Sequence, residues 1–102
     1  MFKKPFTNLL PQAFFEQMKA DPEGILLDVR TPMEFNAFHL ENAINIDIKN
    51  RDFTEEIEEL DPDKSYYVYC RVGARSANAC AYMSRLGFDK LVNLIGGIRA
   101  LK

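Results

Sequence analysis

Short apolar runs alternate with stretches of helical pattern along this chain, and that alternation is the strongest constraint on its fold. Ile25-Leu26-Leu27-Asp28-Val29, Ala43-Ile44-Asn45-Ile46, Tyr66-Tyr67-Val68-Tyr69 and Leu91-Val92-Asn93-Leu94 are strand-length and mostly apolar, and each reads as a strand. Helices are predicted between them. Pro11 to Lys19 brings Phe14, Phe15 and Met18 together, and Phe53 to Leu60 aligns Phe53, Ile57 and Leu60. Thr31 is a natural N-cap, with Pro32 at the first helical position and Glu34 completing a capping box, for a short helix ending near Phe38. A further helix runs from Ser76 to Leu86 and stops at Gly87, and Gly96-Gly97 leads into a final helical turn. Asp21-Pro22-Glu23-Gly24 and Asp61-Pro62-Asp63-Lys64 are turns. This order predicts an α/β fold, a parallel-type sheet covered by helices on both faces. Sites in such folds lie at the carboxyl ends of the strands. The ends richest in chemistry are Asp28-Val29-Arg30 and Cys70 onward.

A length of 102 residues suits one domain, spanning 1–102, with a core large enough to fold without disulfides or a structural metal. The net charge of -2 argues against nucleic acid or an anionic membrane as partner. No apolar run reaches the roughly 20 residues of a membrane span. Met1-Phe2-Lys3-Lys4-Pro5 is followed by no apolar run of the kind a secretory signal needs, so a cytoplasmic location is expected. Cys70 and Cys80 are then expected to be free thiols. With one histidine, no clustered ligands and no nucleotide-binding loop, neither a metal nor an organic cofactor is expected.

Cys70 directly follows a strand, and the next helix begins about six residues later with Ser76 as a candidate N-cap. A thiol placed there faces backbone N–H groups and the positive end of a helix dipole. Arg71 and Arg75 add cationic side chains, and Gly73 permits a tight turn with amides converging on one point. Each feature favours thiolate over thiol. The segment builds a nucleophile and an anion cradle together. A buried filler role is the ordinary reading of a lone cysteine, but Arg71, Gly73 and Arg75 have no evident packing purpose between a strand and a helix.

Cys70-Arg71-Val72-Gly73-Ala74-Arg75-Ser76 resembles the active-site loop of single-domain rhodaneses. Leu27-Asp28-Val29-Arg30 with Glu34-Phe35 resembles that family's first motif, His39-Leu40 with Ala43-Ile44-Asn45-Ile46 its second, and Gly96-Gly97-Ile98 its C-terminal signature. The likeness runs from about Thr7 to Leu101, with the motifs in order. It implies a rhodanese-like fold, with a central, mostly parallel five-stranded sheet between helices. It also implies sulfur transfer: Cys70 takes the outer sulfur of thiosulfate or a related donor as a persulfide, then passes it to cyanide, a thiol or a protein acceptor. In this reading the amides from Arg71 through Val72, Gly73 and Ala74 to Arg75 stabilise the charged sulfur, and the two arginines orient the donor's sulfonate. Four residues separate Cys70 from Arg75. The phosphatases that share the fold have five, so the smaller ring argues for sulfur over phosphate. The chain departs from the family pattern at Phe38 and Asn42, where glycines are usual, and at Leu101, where an aromatic residue is common; these bear on the pocket rim.

Asp28 and Arg30 are read as supporting residues, either a charged network beneath the loop or a structural pair with Arg30 held by Glu34 or a neighbouring carboxylate. His39 is read as structural ahead of a proton shuttle, and Cys80 as a core residue ahead of a resolving thiol. The acidic run Asp52 to Glu59 reads as a solvated helix face. A non-catalytic interaction module on the same fold is the competing reading. Thiosulfate, glutathione persulfide and protein persulfides all stay open as donors.

Overall fold

The computed structural model describes residues 4–101. Its elements in chain order are β1 (Thr7–Leu9), α1 (Pro11–Lys19), β2 (Ile25–Asp28), α2 (Pro32–Ala37), β3 (Ile44–Asn45), α3 (Phe53–Glu58), β4 (Tyr66–Tyr69), α4 (Ala74–Arg85) and β5 (Leu91–Leu94). A 3-10 turn, Ile98–Leu101, follows β5. The five strands form one sheet in the order β1-β5-β4-β2-β3, and every pairing is parallel. The predicted α/β architecture with helices on both faces is what the chain adopts.

Strand periodicity distributes the core. Leu27 and Val29 from the β2 run, and Tyr66, Val68 and Cys70 from the β4 run, pack with Phe53 and Ile57 of α3 and Ala79, Cys80 and Met83 of α4. Leu26, Tyr67, Tyr69, Val92 and Leu94 point the other way and meet Phe14 of α1. The period of two thus continues one residue past β4 and turns the Cys70 side chain toward the α4 face. All four residues of β4 and of β5 are buried. The tyrosine hydroxyls find partners at the edges of the core: Tyr66 donates to the Asp61 carbonyl at 2.7 Å and Tyr67 to the Asp21 carboxylate at 2.9 Å.

Several boundaries differ from the sequence reading. β1 was not among the strands read from the apolar runs. Thr7-Asn8-Leu9 carries one apolar residue and becomes a strand by pairing in parallel with Val92-Asn93-Leu94 at the sheet edge. β3 shrinks from Ala43–Ile46 to two residues, α3 ends at Glu58 rather than Leu60, and β2 ends at Asp28 rather than Val29. The correction that bears on the cysteine loop concerns α4, which begins at Ala74 rather than at Ser76. Gly73 occupies its N-cap position at φ 106°, a backbone conformation that side chains disfavour.

The chain leaves β2 outward to β3, and leaves β4 in the opposite direction to β5. β2 and β4 are neighbours, so a crevice opens between their carboxyl ends, where open α/β sheets place ligands. Asp28-Val29-Arg30 and Cys70 stand at that point.

Candidate functional site

Cys70 Sγ is the focus of three polar groups. The Gly73 N–H donates to it at 3.1 Å, the Ser76 N–H donates at 3.3 Å, and Ser76 Oγ lies 3.2 Å away. Ser76 is the third residue of α4, and its N–H is one of the donors that a helix leaves unpaired at its start. No side chain of the N-cap residue serves it. The sulfur, six residues upstream, takes the place of the usual capping oxygen. Ser76 therefore acts from inside the first turn, with its hydroxyl also placed to donate to the Gly73 carbonyl at 3.2 Å.

The loop's carbonyls are held away from that focus. Cys70 O accepts from Ile98 N–H at 2.9 Å, and Arg71 O accepts from Arg99 N–H at 3.0 Å. The 3-10 turn is thereby docked onto the loop. Gly97 makes the docking feasible: it sits at φ 63°, and a Cβ there would overlap the Arg71 carbonyl and lie 2.6 Å from Cys70 O. At Gly73 a Cβ would come within 3.2 Å of Gly96 N. The turn was visible in sequence as a Gly-Gly signature; its role as a brace for the cysteine loop was not.

The arginines fall into different settings. Arg75 is bidentate to Glu34, with Nη1 to Oε1 at 2.8 Å and Nη2 to Oε2 at 2.9 Å. Glu34 also accepts from Thr31 N–H at 3.1 Å, completing the predicted capping box of α2. The Arg75 bonds hold the Glu34 carboxyl down at about 2, and Glu34 in turn raises Arg75. This pair ties α2 to the start of α4. Arg71 is exposed, and among the described residues its side chain has no ion pair. Val72 and Ala74 are exposed as well.

Beneath the loop, Arg30 chelates Asp28, with Nε to Oδ1 at 3.0 Å and Nη2 to Oδ2 at 2.7 Å. Asp28 is fully buried and Arg30 is 5% exposed. Burial works against the Arg30 cation, yet the Asp28 bond and charge outweigh it and raise its pKa. Arg30 Nη2 also reaches the Phe38 carbonyl at 2.6 Å, and the guanidinium lies over the Tyr69 ring, 5.6 Å from its centroid. Tyr69 OH accepts from Leu40 N–H at 3.1 Å, and burial pushes that phenol well above its ordinary range. Arg30 thus takes the neighbouring carboxylate Asp28, while Glu34 goes to Arg75. The segment that follows α2 is pinned to the sheet.

His39 stacks on Phe35 at 3.7 Å between centroids and places Nδ1 2.8 Å from the Phe35 carbonyl, a structural position at the end of α2. Asn42 adopts φ 70°, the left-handed conformation that asparagine tolerates. Cys80 is buried in the core, and burial, reinforced by the nearby Cys70, pushes its thiol up to about 12. A thiol so disfavoured as an anion is a poor resolving group. Among the described residues no group of three or more His, Cys, Asp or Glu side chains is placed to hold a metal ion. No helix among them is long and apolar enough to cross a membrane.

A family model described as "Rhodanese-like domain" matches residues 11–102. YtwF of Bacillus subtilis, provisionally named a sulfurtransferase, is 41% identical, the alignment covering 86% of this chain and 82% of that protein. A protein of Allochromatium vinosum named sulfurtransferase is 35% identical over 91% of this chain and 86% of its own length. A tRNA uridine(34) hydroxylase of Cytophaga hutchinsonii is 38% identical over 87% of this chain, which spans only 30% of that protein. Among solved structures, a rhodanese-related protein of Thermoplasma volcanium superposes with a TM-score of 0.79 at 34% identity, covering 92% of this chain and 88% of the other.

Proposed function

The chain belongs to the rhodanese-like domain family, and on that premise we propose that it is a sulfurtransferase in which Cys70 carries the transferred sulfur as a persulfide. The observation that carries this reading is the convergence of the Gly73 and Ser76 N–H groups and Ser76 Oγ on Cys70 Sγ at the start of α4. Fixed donors at a helix N-terminus favour negative charge on sulfur without reorganising during the reaction. The names of the Bacillus and Allochromatium relatives support the same reaction class.

In the first step the Cys70 thiolate attacks the outer sulfur of a donor such as thiosulfate. A bond forms between Sγ and that sulfur, the bond between the donor's two sulfurs breaks, and its electron pair leaves with sulfite. In the second step cyanide or a thiolate attacks the outer sulfur of the persulfide, and the Cys70 thiolate is regenerated. No redox partner is needed. The loop amides hold the charged sulfur, and exposed Arg71 meets the incoming anion. Arg75, engaged with Glu34, positions the loop; contact with the donor's sulfonate falls to Arg71. Asp28 and Arg30 support the floor. The setting we infer is a cytoplasmic protein acting as one domain on small sulfur anions and thiol or protein acceptors.

Cys70 itself is fully buried, so a donor gains access only when the loop or the docked turn yields. That burial is the observation favouring the alternative, a non-catalytic interaction module. Intact-protein mass measurement after incubation with thiosulfate separates the two. The sulfurtransferase gains one sulfur that cyanide removes as thiocyanate, and Cys70→Ser gains none. A wild-type protein that takes up no sulfur from thiosulfate or any persulfide is the module.

A further inference from the structure

Cys70 is fully buried, and the loop whose amides meet its sulfur is fastened at its two ends by different kinds of contact. At its start the fastening is backbone: Cys70 O and Arg71 O accept from Ile98 and Arg99 N–H in the docked turn. At its end the fastening is an ion pair between side chains, Arg75 on Glu34 at 2.8 and 2.9 Å. Between the two, none of Arg71 to Arg75 joins either apolar core. Gly73, at φ 106°, is a ready hinge, because glycine passes between left- and right-handed conformations at little cost. Glu34 stands on α2, a helix with no buried residue. The pair therefore joins a loop without core contacts to a helix without buried side chains. Its members are 23% and 29% exposed, so water and salt reach it. The two N–H groups on Cys70 Sγ, those of Gly73 and Ser76, lie on either side of Arg75 in the chain. They belong to the start of α4, where N–H groups have no intrahelical bonds to lose.

We propose that the Arg75–Glu34 pair is a latch: its release lets the segment from Gly73 to Ser76 move off Cys70 and uncovers the sulfur, while the docked turn stays in place. The inference goes beyond the sulfurtransferase reading. It fixes which of the two fastenings yields, and it holds whatever reagent arrives. Access to the sulfur is then set by a solvated ion pair, and it rises with ionic strength as the pair is screened. The backbone fastening keeps the loop in register through each opening, so the donors return to Sγ when Arg75 closes.

The test compares wild type, Glu34→Gln and Gly87→Ala as full chains with two readouts. One is amide exchange at Ser76 by NMR. The other is labelling of Cys70 by iodoacetamide, a neutral reagent, located by peptide mass. Glu34→Gln keeps the size of the side chain and an acceptor for the α2 cap but loses the charge. Both rates are expected to rise about tenfold in it, the open population gained by losing one bidentate, partly exposed pair. High salt is expected to raise both rates in wild type and neither in Glu34→Gln. Gly87→Ala strains the chain just past the far end of α4 and leaves the latch intact. It is expected to quicken labelling of Cys80, which is buried in the core, and to leave Cys70 unchanged. Unchanged Ser76 exchange in Glu34→Gln, or the same salt response in both proteins, overturns the latch. Faster Cys70 labelling without faster Ser76 exchange also overturns it, since thiol acidity alone has then changed. Cys70 labelling that rises with Cys80 in Gly87→Ala overturns it too, because the sulfur is then reached by unfolding. Sulfur uptake from thiosulfate is measured separately, so each of these results leaves the sulfurtransferase reading standing.

Discussion

Replacing Gly97 by alanine tests whether the cysteine loop is held in shape from outside by the C-terminal turn. An alanine at φ 63° carries the left-handed penalty of about 1–2 kcal/mol. Its Cβ would also overlap the Arg71 carbonyl and sit 2.6 Å from Cys70 O, so the turn must lift from the loop. Lifting it breaks the Ile98–Cys70 and Arg99–Arg71 backbone bonds, each worth about 0.5–1.5 kcal/mol. The sum is roughly 2–5 kcal/mol, a large part of the approximately 5–15 kcal/mol that stabilises a domain of this size. Gly87→Ala is the matched control. Gly87 has φ 101°, and nothing lies within 4 Å of its would-be Cβ. It suffers conformational strain without overlap. Urea unfolding of the two variants should show Gly97→Ala the less stable by at least about 1 kcal/mol, and its sulfur loading should fall with the loop undocked. Equal destabilisation by the two substitutions would refute the brace.

Glu34→Gln should cost about 1–2 kcal/mol at pH 6, discounted for partial exposure. Because Glu34 is held at about 2, below its ordinary 4.5, its contribution is present above pH 4.5 and fades as pH falls toward 2; urea midpoints for variant and wild type should converge over that window, and a constant gap counts against the Arg75 pair as its source. Ser76→Ala removes one polar neighbour of Sγ and should slow persulfide formation about 3- to 10-fold, the worth of roughly one hydrogen bond; an unchanged loading rate means the hydroxyl serves only the Gly73 carbonyl. Cys80→Ala should load sulfur at the wild-type rate while losing about 1 kcal/mol to the small cavity it leaves. A lost ability to turn over would restore Cys80 as a resolving thiol.

What could be read from the sequence divides by the range of the interaction. β4 and β5 match their predicted ends because all of their residues are buried, and a short, mostly apolar run of strand length has few other solutions. The capping box of α2 is a contact between residues three apart, and it forms as read. β1 escaped notice because its identity comes from Val92-Asn93-Leu94, far along the chain. The start of α4 was misplaced because serine is a good N-cap by type. The acceptor that fills the capping role is a sulfur across a loop, which no local pattern announces. The same holds for the site. Cys70, Gly73 and Ser76 are neighbours in sequence and meet in space, whereas the partner of Arg75 is 41 residues away and Arg99 enters only through the docking of the last turn.

Active sites are commonly a drain on stability: nucleophiles are held in surroundings that would be better filled by something inert, and their removal often strengthens a protein. The capping of α4 by Cys70 Sγ reverses that relation here. Alanine at position 70 would leave the buried Ser76 N–H and the partly buried Gly73 N–H without their acceptor, at a cost of about 1–3 kcal/mol for each that water cannot reach. Selection that merely keeps this fold sturdy therefore also keeps an acceptor at position 70. A copy of the domain relieved of its chemistry would need a compensating change at the start of α4 before it could drift freely.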